Sequence, residues 1–147
     1  MASHAYRTEL QKLGITAVEK ACPLFVPLVE EGWTDHAVTE QVARIYLGEL
    51  AGQQQPAGAD VLVLGCTHYP LLKPLLHRVL PDSIRMIDSA EATAHEVAYR
   101  LAATPGKAQG RSSLRFFATD SVDKFKLLGS RFLGREIGNV KLIALPE

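Results

Sequence analysis

The reading turns on Asp60-Val61-Leu62-Val63-Leu64-Gly65-Cys66-Thr67-His68-Tyr69-Pro70-Leu71-Leu72. Residues 61–64 are a short, continuous, β-prone apolar run, the pattern of a parallel strand covered on both faces. Residues 65–68 read as a turn. Residues 69–80 read as a helix, with Pro70 near its first position, where a missing N–H is tolerated. In open parallel sheets, ligands bind beyond the carboxyl ends of the strands, and Cys66 falls there. A helix start beside it favours an anion, a thiolate included. Gly65 lets the backbone turn sharply and leaves room for a ligand to come close. Thr67 offers a hydroxyl for capping or for binding a carboxylate, and His68 a ring that donates to an anion or shares a proton with the thiol. Singly, each has an ordinary structural reading: a small core cysteine, a capping histidine. The conjunction of strand, Gly, Cys, hydroxyl, His and helix start points to a reactive thiol beside an anion site.

Working outward, residues 4–13 pattern as a helix closed by Gly14, and residues 35–50 as an amphipathic helix that Thr34 or Asp35 caps. Residues 24–29 are apolar and ambiguous, although Pro27 argues against a central strand. A Gly/Gln/Pro linker covers 51–59. Residues 85–87 read as a strand, 89–103 as a helix with Ala94, Val97, Ala98 and Leu101 on one face, and 104–113 as a loop. A strand over 114–118, a helix over 120–133 with Phe125, Leu128 and Phe132 inward, and a strand over 140–145 complete the chain. This alternation predicts an α/β fold, an open parallel sheet with flanking helices. The first element is a helix with no strand before it, so the chain is expected to begin in mid-fold.

The composition excludes several classes. Sixteen basic residues balance sixteen acidic ones in 147, which leaves no broad field for nucleic acid or anionic lipid. No apolar run approaches the roughly 20 residues of a membrane helix, and the N-terminus lacks the apolar core of a secretory signal. The expected location is the cytoplasm, with no membrane and no nucleic-acid partner. The two cysteines, Cys22 and Cys66, form no C-x-x-C, and fit neither a disulfide framework nor a zinc site; no metal is expected. No glycine-rich phosphate-binding motif occurs. Cys22, next to Pro23, reads as core. Glu30 and Glu31 read as a solvated helix end, or as placing one carboxylate beside the site. His36, His77 and His95 read as surface residues, Lys107 and Arg111 as solvated loop charges.

The string Gly65-Cys66-Thr67-His68-Tyr69-Pro70-Leu71-Leu72 resembles, residue for residue, the second cysteine motif of glutamate racemases. The stretch 21–32 resembles that family's preceding landmark, Ile87-Asp88-Ser89-Ala90 the strand end that follows, and 116–133 and 135–143 its last strand–helix–strand. The resemblance implies a cofactor-independent enzyme making D-glutamate for peptidoglycan. Two cysteines face opposite sides of the glutamate Cα, one removing the proton and the other returning it. By the match, Cys66 is one acid/base, Thr67 and His68 contact substrate, His68 also tunes the thiol, and Glu30 assists as a catalytic carboxylate. The family's Asp-Ser-Gly motif and its other cysteine, next to Asn-Thr, have no counterpart here. The resemblance therefore implies that residues 1–88 are the C-terminal portion of the second racemase domain, and residues 89–147 the returning, incomplete C-terminal segment of the first. It implies a fragment inactive alone, with glutamate as its small-molecule partner and a homodimer or a complementing N-terminal half to complete it. The alternatives are a non-catalytic glutamate-binding or regulatory module, and a thiol enzyme of acyl transfer using Cys66 and His68.

Overall fold

Four consecutive apolar, β-prone residues form β1, Val61–Leu64, and a second short run forms β2, Arg85–Asp88. A computed structural model describes residues 4–52, 59–103 and 113–145. It pairs β1 and β2 in parallel, with Val61 opposite Arg85 and Leu64 opposite Asp88. Parallel neighbours need a crossover, here a 3₁₀ turn over Tyr69–Leu72 and the helix Lys73–Val79. The parallel pairing and the β–α alternation are those the sequence predicts. The single helix expected over 69–80 is instead two elements. Pro70 and Pro74 each stand in the first turn of one of them, and a proline has no N–H, so Pro74 cannot donate back to Pro70 to continue one helical ladder.

The other elements of this part follow from their apolar spacing. Helix α1, Ala5–Lys12, ends near Gly14, whose φ of 73° is the left-handed conformation glycine adopts readily. The ambiguous segment resolves as a short helix, α2 (Phe25–Glu30), which buries Phe25 and Val29. Helix α3, Ala37–Gly52, follows. It is not Thr34 or Asp35 but His36 that serves its first turn, Nδ1 accepting a 3.1 Å hydrogen bond from the Val38 N–H. With the crossover helix as α4, the chain leaves β2 through α5, Ser89–Ala103, which buries none of its residues.

The core beneath β1 gathers Phe25, Val29, Ala43, Leu64, Leu72, Leu75 and Leu76, with Cys22, Tyr46, Tyr69 and Met86 packed against it. Residues widely separated in sequence thereby fix α2, α3 and α4 around one strand end. Thr39, fully buried among them, satisfies its hydroxyl on the Trp33 carbonyl at 2.7 Å.

The chain divides into two compact units, Met1–Ala103 and Thr104–Glu147. In the second, β3 (Phe116–Ala118) and β4 (Val140–Leu142) pair in parallel across helix α6, Val122–Leu133. Ala118 and Ile137 are its buried apolar residues. The inward face expected of α6 is only partly covered: Leu128 is half-buried, whereas Phe125 and Phe132 remain exposed. Val97 and Leu101 of α5 are likewise exposed, although the sequence pattern gives them a core face. The loops expected over 51–59 and 104–113 lie largely outside the described residues, Lys107 and Arg111 with them. Among the described residues, no helix is long and apolar enough to cross a membrane.

Candidate active site at the end of the first strand

Leu64 buries the end of β1, and the chain turns at Gly65 to leave Cys66 half-buried with a free thiol. The turn is held by the Tyr69 N–H donating to the Cys66 carbonyl at 3.2 Å and the Leu71 N–H to that of His68 at 3.2 Å. These bonds make a 3₁₀ turn directly after the thiol, so the α-helix start expected there begins only at Lys73.

His68 stands between two polar groups. Its Nδ1 lies 3.3 Å from the Thr67 hydroxyl, and its Nε2 lies 3.4 Å from Oε1 of Glu30, the last residue of α2. A proton on Nε2 points at the carboxylate and leaves Nδ1 of a neutral ring to accept from Thr67. A second proton makes the ring a cation beside Glu30, with the hydroxyl turned to accept. The structure thus brings Thr67, His68 and Glu30 together, beside Cys66 in the chain. Glu30 is half-buried rather than solvated, and Glu31 is exposed.

Tyr69, which the sequence reading leaves unassigned, ties the turn to α2. Its phenol donates 3.1 Å to the Cys22 carbonyl across 47 positions, and its ring meets Phe25 edge-on at 5.4 Å. Burial, and then the neighbouring Cys22 and Cys66 thiols, push the phenol up to about 12. Cys22 thus reaches the site through its backbone. Its own thiol points at the Lys20 carbonyl at 3.6 Å.

A second unforeseen pair closes the other side. Asp88, buried at the end of β2 opposite Leu64, places Oδ2 2.5 Å from Lys73 Nζ, while its Oδ1 accepts from the Glu91 N–H at 2.9 Å. Lys73 also lies 3.6 Å from Glu91. The lysine, with the backbone N–H of Glu91, holds the Asp88 carboxyl below the usual carboxylate range, and Asp88 in turn pushes Lys73 up. The strand-end carboxylate is thereby neutralised beside the thiol turn. Two-residue signals such as Ile87-Asp88 and the lone Lys73 carry no trace of this contact. His36, His77 and His95 are exposed and stand apart from the cluster. No group of three or more His, Cys, Asp or Glu placed to hold a metal occurs among the described residues.

No protein-family model matches the chain. Among curated proteins it is similar to the glutamate racemase of Koribacter versatilis, 48% identical over 168 residues that cover 99% of this chain and 57% of that protein. The glutamate racemase of Geobacter metallireducens is 42% identical, the match covering 97% and 53%. Among solved structures, the glutamate racemase isoform RacE1 from Bacillus anthracis gives a TM-score of 0.81 at 33% identity, covering 98% of this chain and 53% of that one. The Francisella tularensis enzyme, solved in complex with D-glutamate, gives 0.77 at 27% identity, covering 97% and 53%. The chain spans about half the length of the curated relatives it matches. By fold and by sequence, the proteins this chain resembles form one class, the α/β amino-acid racemases. Within that class, its homologues in sequence and its neighbours in structure are glutamate racemases.

Proposed function

We propose that this chain supplies one face of a glutamate racemase active site, with Cys66 as the acid/base on that face. The arrangement of His68 between Thr67 and Glu30, at the end of the strand that delivers Cys66, carries the reading. The Cα–H of an amino acid is a very weak acid, so its removal needs a placed base and donors for the carboxylate as charge develops. Thr67 and His68 are those donors. Glu30, 3.4 Å from Nε2, steadies the His68 ring so that it faces an anionic substrate. On this face the Cys66 thiolate takes the Cα proton to become a thiol, or the thiol returns one to the carbanion. The Lys73–Asp88 pair removes the strand-end negative charge that would repel glutamate.

Inversion needs a second proton carrier on the opposite face of Cα. By its thiol's orientation toward Lys20, Cys22 is not that group. The complement is a second α/β domain, with residues 1–88 belonging to the domain that carries Cys66 and residues 89–147 returning to the other. The product serves peptidoglycan synthesis in the cytoplasm. The deciding experiment incubates the purified 147-residue chain with L-glutamate in D₂O and follows the Cα proton by NMR and the enantiomer by a coupled assay. The expected result is no inversion by the chain alone, and inversion when a racemase N-terminal half is supplied in trans, lost with Cys66→Ser. Inversion by the chain alone that is abolished by Cys66→Ser would sink the one-thiol reading. Trans inversion that survives Cys66→Ser would sink the role of Cys66.

A further inference from the structure

We propose that Tyr6 is a positioning residue that clamps the Cys66 turn, its ring lying against the Gly65 backbone. A Cβ on Gly65 would lie 3.2 Å from Cε2 of Tyr6, 3.5 Å from Cδ2 and 4.0 Å from Cζ. One side of Gly65, where the sequence reading leaves room for a ligand, is therefore taken by the partly exposed ring of Tyr6 in the first turn of α1. That helix is anchored independently of the ring. His4 Nδ1 lies 2.5 Å from Glu19 Oε2, and the Arg7 N–H donates to Glu19 Oε1 at 3.2 Å. Because α1 buries none of its residues, the ring against Gly65 is its footing on the site.

The physical need is plain. Glycine is the loosest residue in a chain, and ordering it costs more than ordering any other. A glycine directly before a reacting thiol lets that thiol wander, and a misplacement of about 1 Å costs up to ~10²-fold in rate. A ring laid on the glycine restores the stiffness that a side chain would have given. This role rests on the reading of Cys66 as an acid/base, but its test needs no turnover.

The test is the rate at which iodoacetamide alkylates Cys66 relative to Cys22, read by peptide mass spectrometry on the full 147-residue chain. Cys22 is the internal monitor of general unfolding. Tyr6→Ala is expected to raise the Cys66:Cys22 ratio by about fivefold, and Tyr6→Phe, which keeps the ring, to leave it at the wild-type value. Gly65→Ala, whose Cβ asks the ring to give by only a few tenths of an ångström and which itself stiffens the backbone, is expected to leave the ratio near the wild-type value, and to lower it in the Tyr6→Ala background. An unchanged ratio in Tyr6→Ala overturns the proposal, as does a proportional rise at both cysteines. Failure here with trans inversion intact leaves the racemase reading standing. Loss of inversion with the clamp intact sinks only that reading.

Discussion

At the scale of single residues, the site is a set of side chains whose neighbours come from far along the chain. Tyr69 shows the energetics. Its phenol-to-carbonyl bond to Cys22 contributes ~1 kcal/mol, so Tyr69→Phe is expected to lose about that in urea unfolding while keeping the ring contact with Phe25. The phenol is pushed up to about 12 in the folded chain, against about 10 in an unfolded one. Its contribution is therefore complete below about pH 10 and is lost as pH rises toward 12. Tyr69→Phe should flatten that part of the alkaline limb of stability. Asp88 has the opposite sign. Its carboxyl is depressed, so its stabilisation is complete above the ordinary carboxylate range near pH 4 and falls away as pH drops through the folded value. Asp88→Asn should remove that acid-limb component. Lys73→Met leaves a buried carboxylate without its cation; with Lys73 itself partly exposed, a loss of ~1–3 kcal/mol at pH 7 is expected in the same unfolding measurement.

These residues divide sharply in how visible they are in the sequence. Cys66, Thr67 and His68 are consecutive, and a turn between strand and helix forces consecutive residues onto one strand end. Glu30 reaches the site through the resemblance, because an acidic residue after an apolar run looks solvated on its own. Tyr6, Lys73 and Asp88 matter through contacts that no local pattern encodes. A tyrosine beside a glycine 59 positions later by number, or a lysine on a strand-end aspartate, becomes visible only when the backbone has folded.

At the scale of elements, periodicity locates a helix even where its apolar stripe stays open, as in α1 and α5, which bury none of their residues. Strand β1 and helices α1, α3 and α5 lie close to where their patterns put them. Proline chemistry overrides periodicity between Tyr69 and Val79, and the helix there breaks in two. Leu75 of α4 is fully buried against β1 and its neighbours. Leu75→Ala is expected to cost ~2–5 kcal/mol, measured as a lower urea midpoint with the slope unchanged. Helix α6 makes a different point. Adding a methyl at a helical glycine ordinarily stabilises by about 0.5–1 kcal/mol, but a Cβ on Gly129 would stand 2.9 Å from Cδ1 of the buried Ile137. Gly129→Ala is therefore expected to destabilise the second unit, and Gly129→Ala with Ile137→Val to recover part of the loss.

At the scale of the whole molecule, the sequence makes the α/β class and the parallel pairing legible, since both follow from the β-then-α order and from crossovers too long for hairpins. It does not make legible how much apolar surface stays open. Val97, Leu101, Phe125 and Phe132 are all exposed, although their spacing is that of buried faces. Spacing reports which face a residue occupies, whereas cover depends on what else packs there. Exposed apolar area of this kind favours association.

Each sheet among the described residues has two strands, and that arithmetic has a consequence of its own. A strand with a neighbour on one side alone keeps a row of amide and carbonyl groups facing outward, a ready template for a further strand. All four strands are in that position. Thermal midpoints of the isolated polypeptide should consequently rise with its concentration as copies dock edge to edge, and sedimentation velocity over the same range should show the sedimentation coefficient rising in step.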